Sequence, residues 1–242
     1  MTNALLTTVE FCLTYDCNLR CNNCTSLVSQ APCNYGTLTI ETVQAFIDDC
    51  ITNKDPFSAI VLHGGEPTMH PEFSTICDMF LKYLAREKDK RVDVNICTNG
   101  NDRKIVSYYC RKGFGLSSSP KIANNVDANG NLLAYFPINE SAIDEGKPYP
   151  VGCEISRHCG ICYNYLGFFA CSPAAAMARV FEYTPVAHTI SELSIGKMEE
   201  SFIQVCRHCG RGRTDTIKKT EQSSSKTWLS ALDDYKKRHN LP

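Results

Sequence analysis

The 242-residue chain lacks the features that mark membrane, secreted and nucleic-acid-binding proteins. Its 25 basic and 26 acidic residues nearly cancel to a net charge of −1, so bulk charge would not hold a nucleic acid or a membrane surface. No stretch approaches the roughly 18 to 20 apolar residues of a membrane-spanning helix. The N-terminal sequence MTNALLTTVEF has no basic segment followed by an apolar one, as a signal peptide has. We therefore expect a cytoplasmic protein with neither a nucleic-acid nor a membrane partner.

Cysteine, in contrast, is abundant, with 15 residues. A secreted disulfide scaffold would explain the number, but such domains are usually shorter than about 80 residues. The number is also odd, and nothing in the sequence indicates export. Cysteines grouped at gaps of two and three residues in a cytosolic protein instead favour metal binding.

The first half of the chain alternates between strand and helix patterns. Strands are predicted at 8–13, 57–62, 91–97 and 114–118, and helices at 39–53, 71–86 and 102–112, with Thr39 as N-cap and Pro71 in a first turn. This alternation predicts an α/β fold, a partial (β/α) barrel of about 4–6 parallel strands. Ligands of parallel sheets bind beyond the carboxyl ends of the strands, so the loops that follow the first three strands are expected to meet.

Three regions are predicted from these patterns. Residues 1–150 form the partial barrel, with a further strand at 132–138. Residues 151–213 form a small cysteine-rich C-terminal module, and residues 214–242 form a tail that ends in a short amphipathic helix around Trp228, a packing element. We find no internal repeat beyond the strand and helix alternation.

Cys17, Cys21 and Cys24 are spaced C-x-x-x-C-x-x-C in a loop directly after the first predicted strand. Thiolates suit iron–sulfur clusters, and three of them hold only three irons of a [4Fe–4S] cluster. The second strand ends in the turn HGGEPT. As a pair, the two motifs resemble the radical S-adenosylmethionine (radical SAM) superfamily over about residues 8–120.

The resemblance implies a cofactor chemistry and a set of binding residues. The open iron chelates the amino and carboxylate groups of SAM, and reductive cleavage then gives methionine and a 5′-deoxyadenosyl radical that abstracts hydrogen from a substrate carbon. An electron donor such as flavodoxin or ferredoxin is implied as partner. By the resemblance, the residues that contact SAM are Gly64, Gly65, Glu66, Pro67, Thr98, Asn99 and, as a weaker candidate with its neighbour Ser118, Ser117.

One position departs from the family pattern. The residue before the third cysteine is usually aromatic and packs on adenine, but here it is Asn23. Stacking on Tyr15 or Phe11, or hydrogen bonds in place of stacking, are the alternatives. A zinc site completed by His63 or Cys12 is also considered, although zinc gives no reason for the GGEP turn.

Six later cysteines form a second group: Cys153, Cys159, Cys162, Cys171, Cys206 and Cys209. One interpretation pairs Cys159 and Cys162 with Cys206 and Cys209 as a zinc ribbon. The other takes Cys153, Cys171, Cys206 and Cys209 as ligands of an auxiliary [4Fe–4S] cluster, because GICYNYLGFFAC resembles the hairpin of the SPASM and twitch extensions of radical SAM enzymes. We favour the auxiliary cluster, with Cys159 and Cys162 as alternative ligands. The remaining cysteines (Cys12, Cys33, Cys50, Cys77, Cys97 and Cys110) are predicted to be small buried hydrophobes.

These features favour a radical SAM oxidoreductase. The expected reaction is a two-electron dehydrogenation of a small hydroxylated metabolite with the auxiliary cluster as electron acceptor, since the short length and single extra cluster resemble the 2-deoxy-scyllo-inosamine dehydrogenases. Radical modification of a peptide or protein side chain, as in sulfatase maturases and peptide natural-product enzymes, is the alternative substrate class. A non-catalytic iron–sulfur or zinc-binding module is the third hypothesis. Candidate substrate-facing residues are Arg157, His158 and Arg179.

Overall fold

A computed structural model describes residues 6–21, 24–33, 35–86, 92–118, 138–146, 151–212 and 224–242. The described chain contains one six-stranded sheet with the strand order β4-β3-β2-β1-β5-β6. Strands β1 to β5 run parallel, and β6 is antiparallel to β5. The strands are β1 (Thr8–Thr14), β2 (Ala59–Gly64), β3 (Asp93–Thr98), β4 (Gly115–Ser118), β5 (Ile161–Asn164) and β6 (Gly167–Phe169).

Helices connect the parallel strands and follow the hairpin. Each of the first three joins two neighbouring strands, as the alternation predicted, so the α/β fold class is confirmed. None of the described helices is long and apolar enough to cross a membrane. The helices are α1 (Ile40–Thr52), α2 (Phe73–Ala85), α3 (Arg103–Arg111), α4 (Glu154–His158), α5 (Ser172–Phe181), α6 (Ile195–Cys206) and α7 (Lys226–Arg238).

The predicted boundaries hold to within about two residues, with one instructive difference. Thr39 caps α1 as predicted, because its side chain accepts a hydrogen bond from the Thr42 N–H. The prediction that Pro71 lies in the first turn of α2 is wrong, because the helix begins at Phe73. Residues Pro67–Met69 form a separate 3-10 turn. The Glu72 N–H donates to the imidazole Nδ1 of His70 at 3.0 Å, and α2 begins after Glu72, at Phe73. Of the strand predicted at 132–138, residues 132–137 lie outside the described residues.

The predicted hairpin is present, but it continues the sheet of the first half of the chain. Strand β5 pairs with β1, with Val9 opposite Ile161 and Phe11 opposite Tyr163. At Gly160, before β5, the φ angle is +74°, and a Cβ there would lie 2.1 Å from the Thr8 carbonyl oxygen. Only glycine permits this close approach. Strand β5, which follows the predicted boundary at residue 151, is thus hydrogen-bonded to the sheet of the first half of the chain. The boundary itself remains a prediction.

The two faces of β1 have different surroundings, as alternation along a strand requires. On the outer face Phe11 packs against Phe46 of α1 and Phe80 of α2, with ring centroids 4.5 and 5.8 Å apart. The opposite face, which we call the inner face, carries Glu10 and Cys12. Helix α5 lies against the inner face beside β5, where the Asn164 amide donates to the Ala175 carbonyl at 3.2 Å.

Helix α7 is a packing element, as predicted. Trp228 and Tyr235 on this helix are fully buried. The Trp228 indole N–H donates to the His208 carbonyl at 2.6 Å, and the Tyr235 hydroxyl donates to the Pro32 carbonyl at 2.6 Å. The helix therefore contacts both the loop that follows Cys24 and the segment between Cys206 and Cys209.

Candidate active site

The loops after β1 and β2 meet at the carboxyl edge of the sheet, as the sequence predicts. The Gly65 N–H donates to the Thr14 carbonyl and the Glu66 N–H to the Asp16 carbonyl, each at 2.8 Å. Ser26, in the cysteine loop, donates its hydroxyl to the Gly64 carbonyl at 3.1 Å. These bonds fix the GGEP turn against the loop that carries the three cysteines.

The two glycines of this turn are required by backbone contacts within the protein. A Cβ at Gly64 would lie 2.3 Å from the Thr14 carbonyl oxygen, and one at Gly65 would lie 2.4 Å from the Asp16 carbonyl oxygen. Real Cβ atoms do not approach backbone oxygens so closely. The resemblance implies that these glycines contact SAM, and the structure shows that both lie close to the neighbouring loop.

Glu66 joins the turn after β2 to the turn after β3. The residue is fully buried. Its Oε1 accepts hydrogen bonds from the hydroxyls of Thr68 (2.6 Å) and Thr98 (2.7 Å), and its Oε2 accepts the Asn99 N–H at 2.8 Å. Glu66, Thr98 and Asn99, all predicted to bind SAM, are thus brought together as one hydrogen-bonded unit.

Cys17 lies next to this unit. Cys17 and Cys21 are buried, and Cys24 is half-buried. The Asn99 side-chain amide donates to the Cys17 sulfur at 3.6 Å, and the Leu19 N–H donates to the same sulfur at 3.4 Å. Hydrogen bonds to sulfur are among the features that set the potential of an iron–sulfur cluster. The donor chemistry around Cys17 therefore fits a cluster ligand.

In the described residues, neither of the two predicted groups of cysteine ligands has the geometry of a metal-coordination site. Across the described residues, no three cysteine, histidine or carboxylate side chains are arranged to hold a metal ion. The fit of the first cysteine set to a cluster rests on its donor chemistry, three thiols on one loop at the carboxyl edge with N–H groups directed at Cys17.

Neither aromatic residue considered for adenine stacking offers an exposed ring. Tyr15 is buried, and the Arg179 guanidinium covers its ring at 3.8 Å from the centroid. Phe11 points to the outer face, where it stacks on Tyr163 with ring centroids 5.3 Å apart. Stacking of adenine on Phe11 or Tyr15 is therefore wrong. Asn23 lies outside the described residues.

The four favoured cysteines of the second group line one pocket. The pocket lies between the segment at residue 152, the start of α5 and the end of α6. Cys159 and Cys162 do not line it. The cysteines that line the pocket are Cys153, Cys171, Cys206 and Cys209.

Backbone N–H groups point at the sulfurs of this pocket. The Ala174 N–H bonds to Cys171, the Gly152 N–H to Cys206, and the Arg211 N–H to Cys209. Cys171 is also the N-cap of α5, where the helix dipole favours an anion. Burial raises the pKa of all three thiols, that of Cys209 to about 12, so metal binding at this pocket would release protons.

Cys159 and Cys162 lie instead on the barrel side. The Cys162 sulfur is 3.7 Å from Nε2 of His63. Burial lowers the pKa of His63 to about 4, so this imidazole is neutral near pH 7. Cys159 contacts Glu10. The structure therefore separates these two cysteines from the four that share the pocket.

Glu10 is a site residue that the sequence analysis missed. Its carboxyl group accepts hydrogen bonds from the side chains of Ser172 and Cys159, and Ser172 is next to Cys171. Its Oε2 is buried and has no hydrogen-bond partner in the described part of the chain. Burial raises the pKa of Glu10 to about 7. The sequence feature that could have indicated Glu10 is a single carboxylate within the strand TVEFCLT, on the face opposite Phe11.

The other predicted residues are dispersed. Ser117 lies on β4 opposite Cys97, and its side chain is half-buried. Arg157 and His158 are exposed at the end of α4 and do not line the cysteine pocket. Arg179, also a candidate for substrate contact, is instead only 4% exposed and binds loop carbonyls.

Comparison with known proteins agrees with the first cysteine motif. Residues 11–125 match the family model described as the Radical SAM superfamily. This segment, slightly less than half of the chain, is similar to the radical SAM superfamily. The predicted resemblance is confirmed at this level.

Two solved structures resemble the chain beyond that segment. The crystal structure of BtrN in complex with AdoMet and 2-DOIA has a TM-score of 0.53 and 15% identity, and the match covers 88% of this chain and 98% of BtrN. The structure of selenomethionine BtrN in an open conformation has a TM-score of 0.47 and 14% identity, with 87% and 89% covered. The first likeness supports the fold. A search of curated proteins finds no match.

Proposed function

We propose that the chain is a radical SAM oxidoreductase whose Cys17, Cys21 and Cys24 hold a [4Fe–4S] cluster that binds and cleaves SAM. The observation that carries the proposal is the cysteine loop of a segment similar to the radical SAM superfamily, bonded to the GGEP turn at the carboxyl edge of a parallel sheet. When bound, cluster and SAM supply a 5′-deoxyadenosyl radical that abstracts hydrogen from a substrate carbon. The protein positions these groups and shields them.

In this proposal the loop ends of β2 and β3 hold SAM. Residues 64–67 contact its amino group, and Thr98 and Asn99 contact its ribose and carboxylate. Glu66 supports both sets, because it bonds the Thr98 hydroxyl and the Asn99 N–H. Ser117, at the end of the next strand, is the further proposed contact.

We further propose that Cys153, Cys171, Cys206 and Cys209 hold an auxiliary [4Fe–4S] cluster. Their shared pocket and the N–H groups directed at three of the sulfurs support this ligand set. Zinc bound by the same thiols is the alternative, and metal content distinguishes the two. Hydrogen-bonded thiolates at a helix N-terminus suit a redox cluster, whose potential such bonds adjust.

The proposed reaction is the dehydrogenation of a small hydroxylated molecule bound at the inner face. Abstraction of a hydrogen atom from a C–H bond leaves a substrate radical, which must lose one proton and one electron to become a carbonyl. In this proposal Glu10, which contacts Ser172, accepts the hydroxyl proton, and Cys171, next to Ser172, is a ligand of the cluster that accepts the electron. A carboxyl group whose pKa is near the working pH is suited to proton transfer. The similar protein BtrN was crystallised with AdoMet and the small molecule 2-DOIA, which supports a small-molecule substrate.

Anaerobic reconstitution with iron and sulfide tests the proposal. Reduction with dithionite in the presence of SAM is expected to give 5′-deoxyadenosine and methionine, with about eight irons per chain. Cys17→Ala should abolish 5′-deoxyadenosine formation, whereas Cys110→Ala on α3, outside both ligand sets, should leave it unchanged. Absence of 5′-deoxyadenosine from the iron-loaded wild type would reject the proposal.

The auxiliary site is tested by a separate variant. Cys206→Ala is expected to lower the iron content by about four while SAM cleavage is partly retained. An unchanged iron content would reject Cys206 as a ligand, and a wild type with about four irons and one zinc would support zinc at this pocket.

A further inference from the structure

Arg179 is a buried cation that has no carboxylate beside it among the described residues. The residue lies in the last turn of α5 and is 4% exposed. The largest electrostatic effects on its guanidinium come from the phenols of Tyr15, Tyr235 and Tyr165 and the thiol of Cys33, and the Cys12 thiol interacts with it as well. Phenols and thiols are neutral near pH 7, whereas charged side chains are almost never fully buried unless they are paired. An anion is therefore missing from the surroundings of Arg179 in the described chain.

The contacts of Arg179 show where this anion belongs. Its two terminal nitrogens donate to the Ser26 carbonyl at 2.7 Å and the Ala31 carbonyl at 2.8 Å, and its guanidinium carbon lies 3.8 Å from the Tyr15 ring centroid. Tyr15 precedes Cys17 by two residues, and Ser26 follows Cys24 by two residues. The cation thus lies against both flanks of the cysteine loop.

The cluster proposed for this loop is itself an anion. The three thiolates outweigh the two positive charges of an oxidised [4Fe–4S] core, and reduction adds one further negative charge. In the low dielectric of a protein interior, a nearby positive charge favours the more negative state, and the cluster potential depends on such charges. In this reduction, the cluster takes up one electron from the reductant.

We propose that Arg179 is the counter-charge of the SAM-binding cluster. It holds the cysteine loop through the two carbonyls and raises the reduction potential of the cluster, so that the electron for SAM cleavage enters more readily. This inference rests on the proposed function of Cys17, Cys21 and Cys24. Arg179 acts through the loop and its charge, and it is a positioning residue that does not contact the reacting atoms.

The test measures the potential of the reconstituted cluster by a redox titration followed by EPR in the presence of SAM. Arg179→Gln removes the charge and Arg179→Lys keeps it. With full iron content, Arg179→Gln is expected to shift the midpoint potential to a lower value and to slow SAM cleavage about tenfold, a loss equal to roughly 1.4 kcal/mol. Arg179→Lys is expected to stay close to the wild-type potential. Arg86→Gln removes a cation that pairs with Asp55 after α2, and should leave the potential unchanged.

Each remaining outcome decides the inference. An iron-loaded Arg179→Gln protein with the wild-type potential would overturn the counter-charge, while the function of the cysteine loop would stand. If Arg179→Gln fails to take up the first cluster and Arg179→Lys takes it up normally, the charge requirement is supported. Loss of the cluster in both variants would overturn it, because guanidinium geometry and not charge would then be required. A wild type without any cluster that responds to SAM would reject the proposed function itself.

Discussion

Individual residues at this site differ less in their own chemistry than in what surrounds them. Cys77 in α2 is a thiol like Cys17, but it lies in the apolar core, where burial raises its pKa far above the usual value. The sulfur of Cys17 receives N–H groups from Leu19 and Asn99. The burial of Cys77 confirms that part of the prediction, while the assignment of Cys17 as a ligand stays a prediction from its spacing to Cys21 and Cys24.

Glu66 is expected to be essential for the turns after β2 and β3, which are proposed to bind SAM. In Glu66→Gln, a side-chain NH₂ replaces one oxygen and leaves at least one buried donor, the Thr98 hydroxyl or the Asn99 N–H, without its acceptor. The loss should be about 1–3 kcal/mol of unfolding free energy and roughly tenfold in SAM affinity. Urea unfolding and calorimetric titration with SAM measure both. Glu72→Gln, an exposed position whose side chain makes no cap bond, is the control, and equal effects at the two positions would contradict the assignment.

Glu10 is expected to make the metal-free protein less stable as the pH rises. Its pKa is raised from 4.5 to about 7, so the protonated form is favoured by folding, and this contribution is lost as the pH increases from 4.5 through 7. Glu10→Gln cannot ionise and should be more stable than the wild type at pH 8 by about 2–3 kcal/mol, with little difference at pH 4.5. Urea unfolding at several pH values measures this. A difference that does not depend on pH, or a similar effect in the exposed Glu200→Gln, would contradict it.

At the scale of elements, the sequence predicts local alternation better than distant pairing. Strands β1 to β4 and helices α1 to α3 follow from periodicity, but the pairing of Val9 with Ile161 joins positions far apart in the sequence, and no local pattern specifies it. Helix α5 was missed although its sequence SPAAAMARVF has proline in the first turn and strong helix formers after it. In the sequence, Cys171, which precedes this helix, was interpreted only as a metal ligand.

Helix α5 links the two cysteine groups. It begins after Cys171 and carries Arg179 eight residues later, a span of about 12 Å along a helix. Four of its buried residues are alanines, including Ala175, whose carbonyl accepts a hydrogen bond from Asn164 of β5. Small side chains let the helix lie close to the inner face, so both ends are held at a fixed distance.

We therefore expect Ala175→Leu to disturb both sites at once. The larger side chain has no room at a fully buried position, and overpacking should cost about 1–3 kcal/mol of unfolding free energy. Iron content after reconstitution should fall at both cysteine groups, as judged by chemical analysis and EPR. Ser230→Leu, the same type of change at an exposed position of α7, should retain both. Retention of full iron by Ala175→Leu would contradict the proposed spacing role.

Over the whole molecule, α7 contacts the two cysteine regions from outside. Trp228 bonds the carbonyl of His208, between Cys206 and Cys209, whereas Tyr235 bonds the carbonyl of Pro32 in the loop after β1. Sequence amphipathicity predicted the helix and its packing role. It did not predict which segments the helix contacts, because that depends on the tertiary arrangement.

Trp228→Ala is expected to cost about 3–5 kcal/mol of unfolding free energy, since it removes a fully buried indole and leaves the His208 carbonyl unpaired by it. Iron bound by the second cysteine group should fall further than iron bound by the first. The matched control is the neighbouring Leu229→Ala, at a position 57% exposed, which should change stability little. Similar losses in the two variants would show that α7 does not pack as described.

The candidate site was predictable to the extent that it follows from strand ends. Three loops converge at one edge because parallel strands place them there, and the sequence showed which loops carry cysteine, glycine and asparagine. The roles of Glu10 and Arg179 were not predictable. Glu10 on β1 meets Ser172 of α5, and Arg179 of α5 meets the Ser26 and Ala31 carbonyls of the loop after β1, and these contacts form only when α5 packs against the sheet in the folded molecule.

The most direct test of the central claim is the EPR spectrum of the anaerobically reduced Cys206→Ala protein, recorded with and without SAM. This variant is designed to isolate the cluster of Cys17, Cys21 and Cys24. Because three thiolates leave one iron open for SAM, the spectrum is predicted to change when SAM is added, and the signal is predicted to vanish when Cys24→Ala is introduced as well. A fully iron-loaded cluster with a spectrum that SAM leaves unaltered would contradict the account.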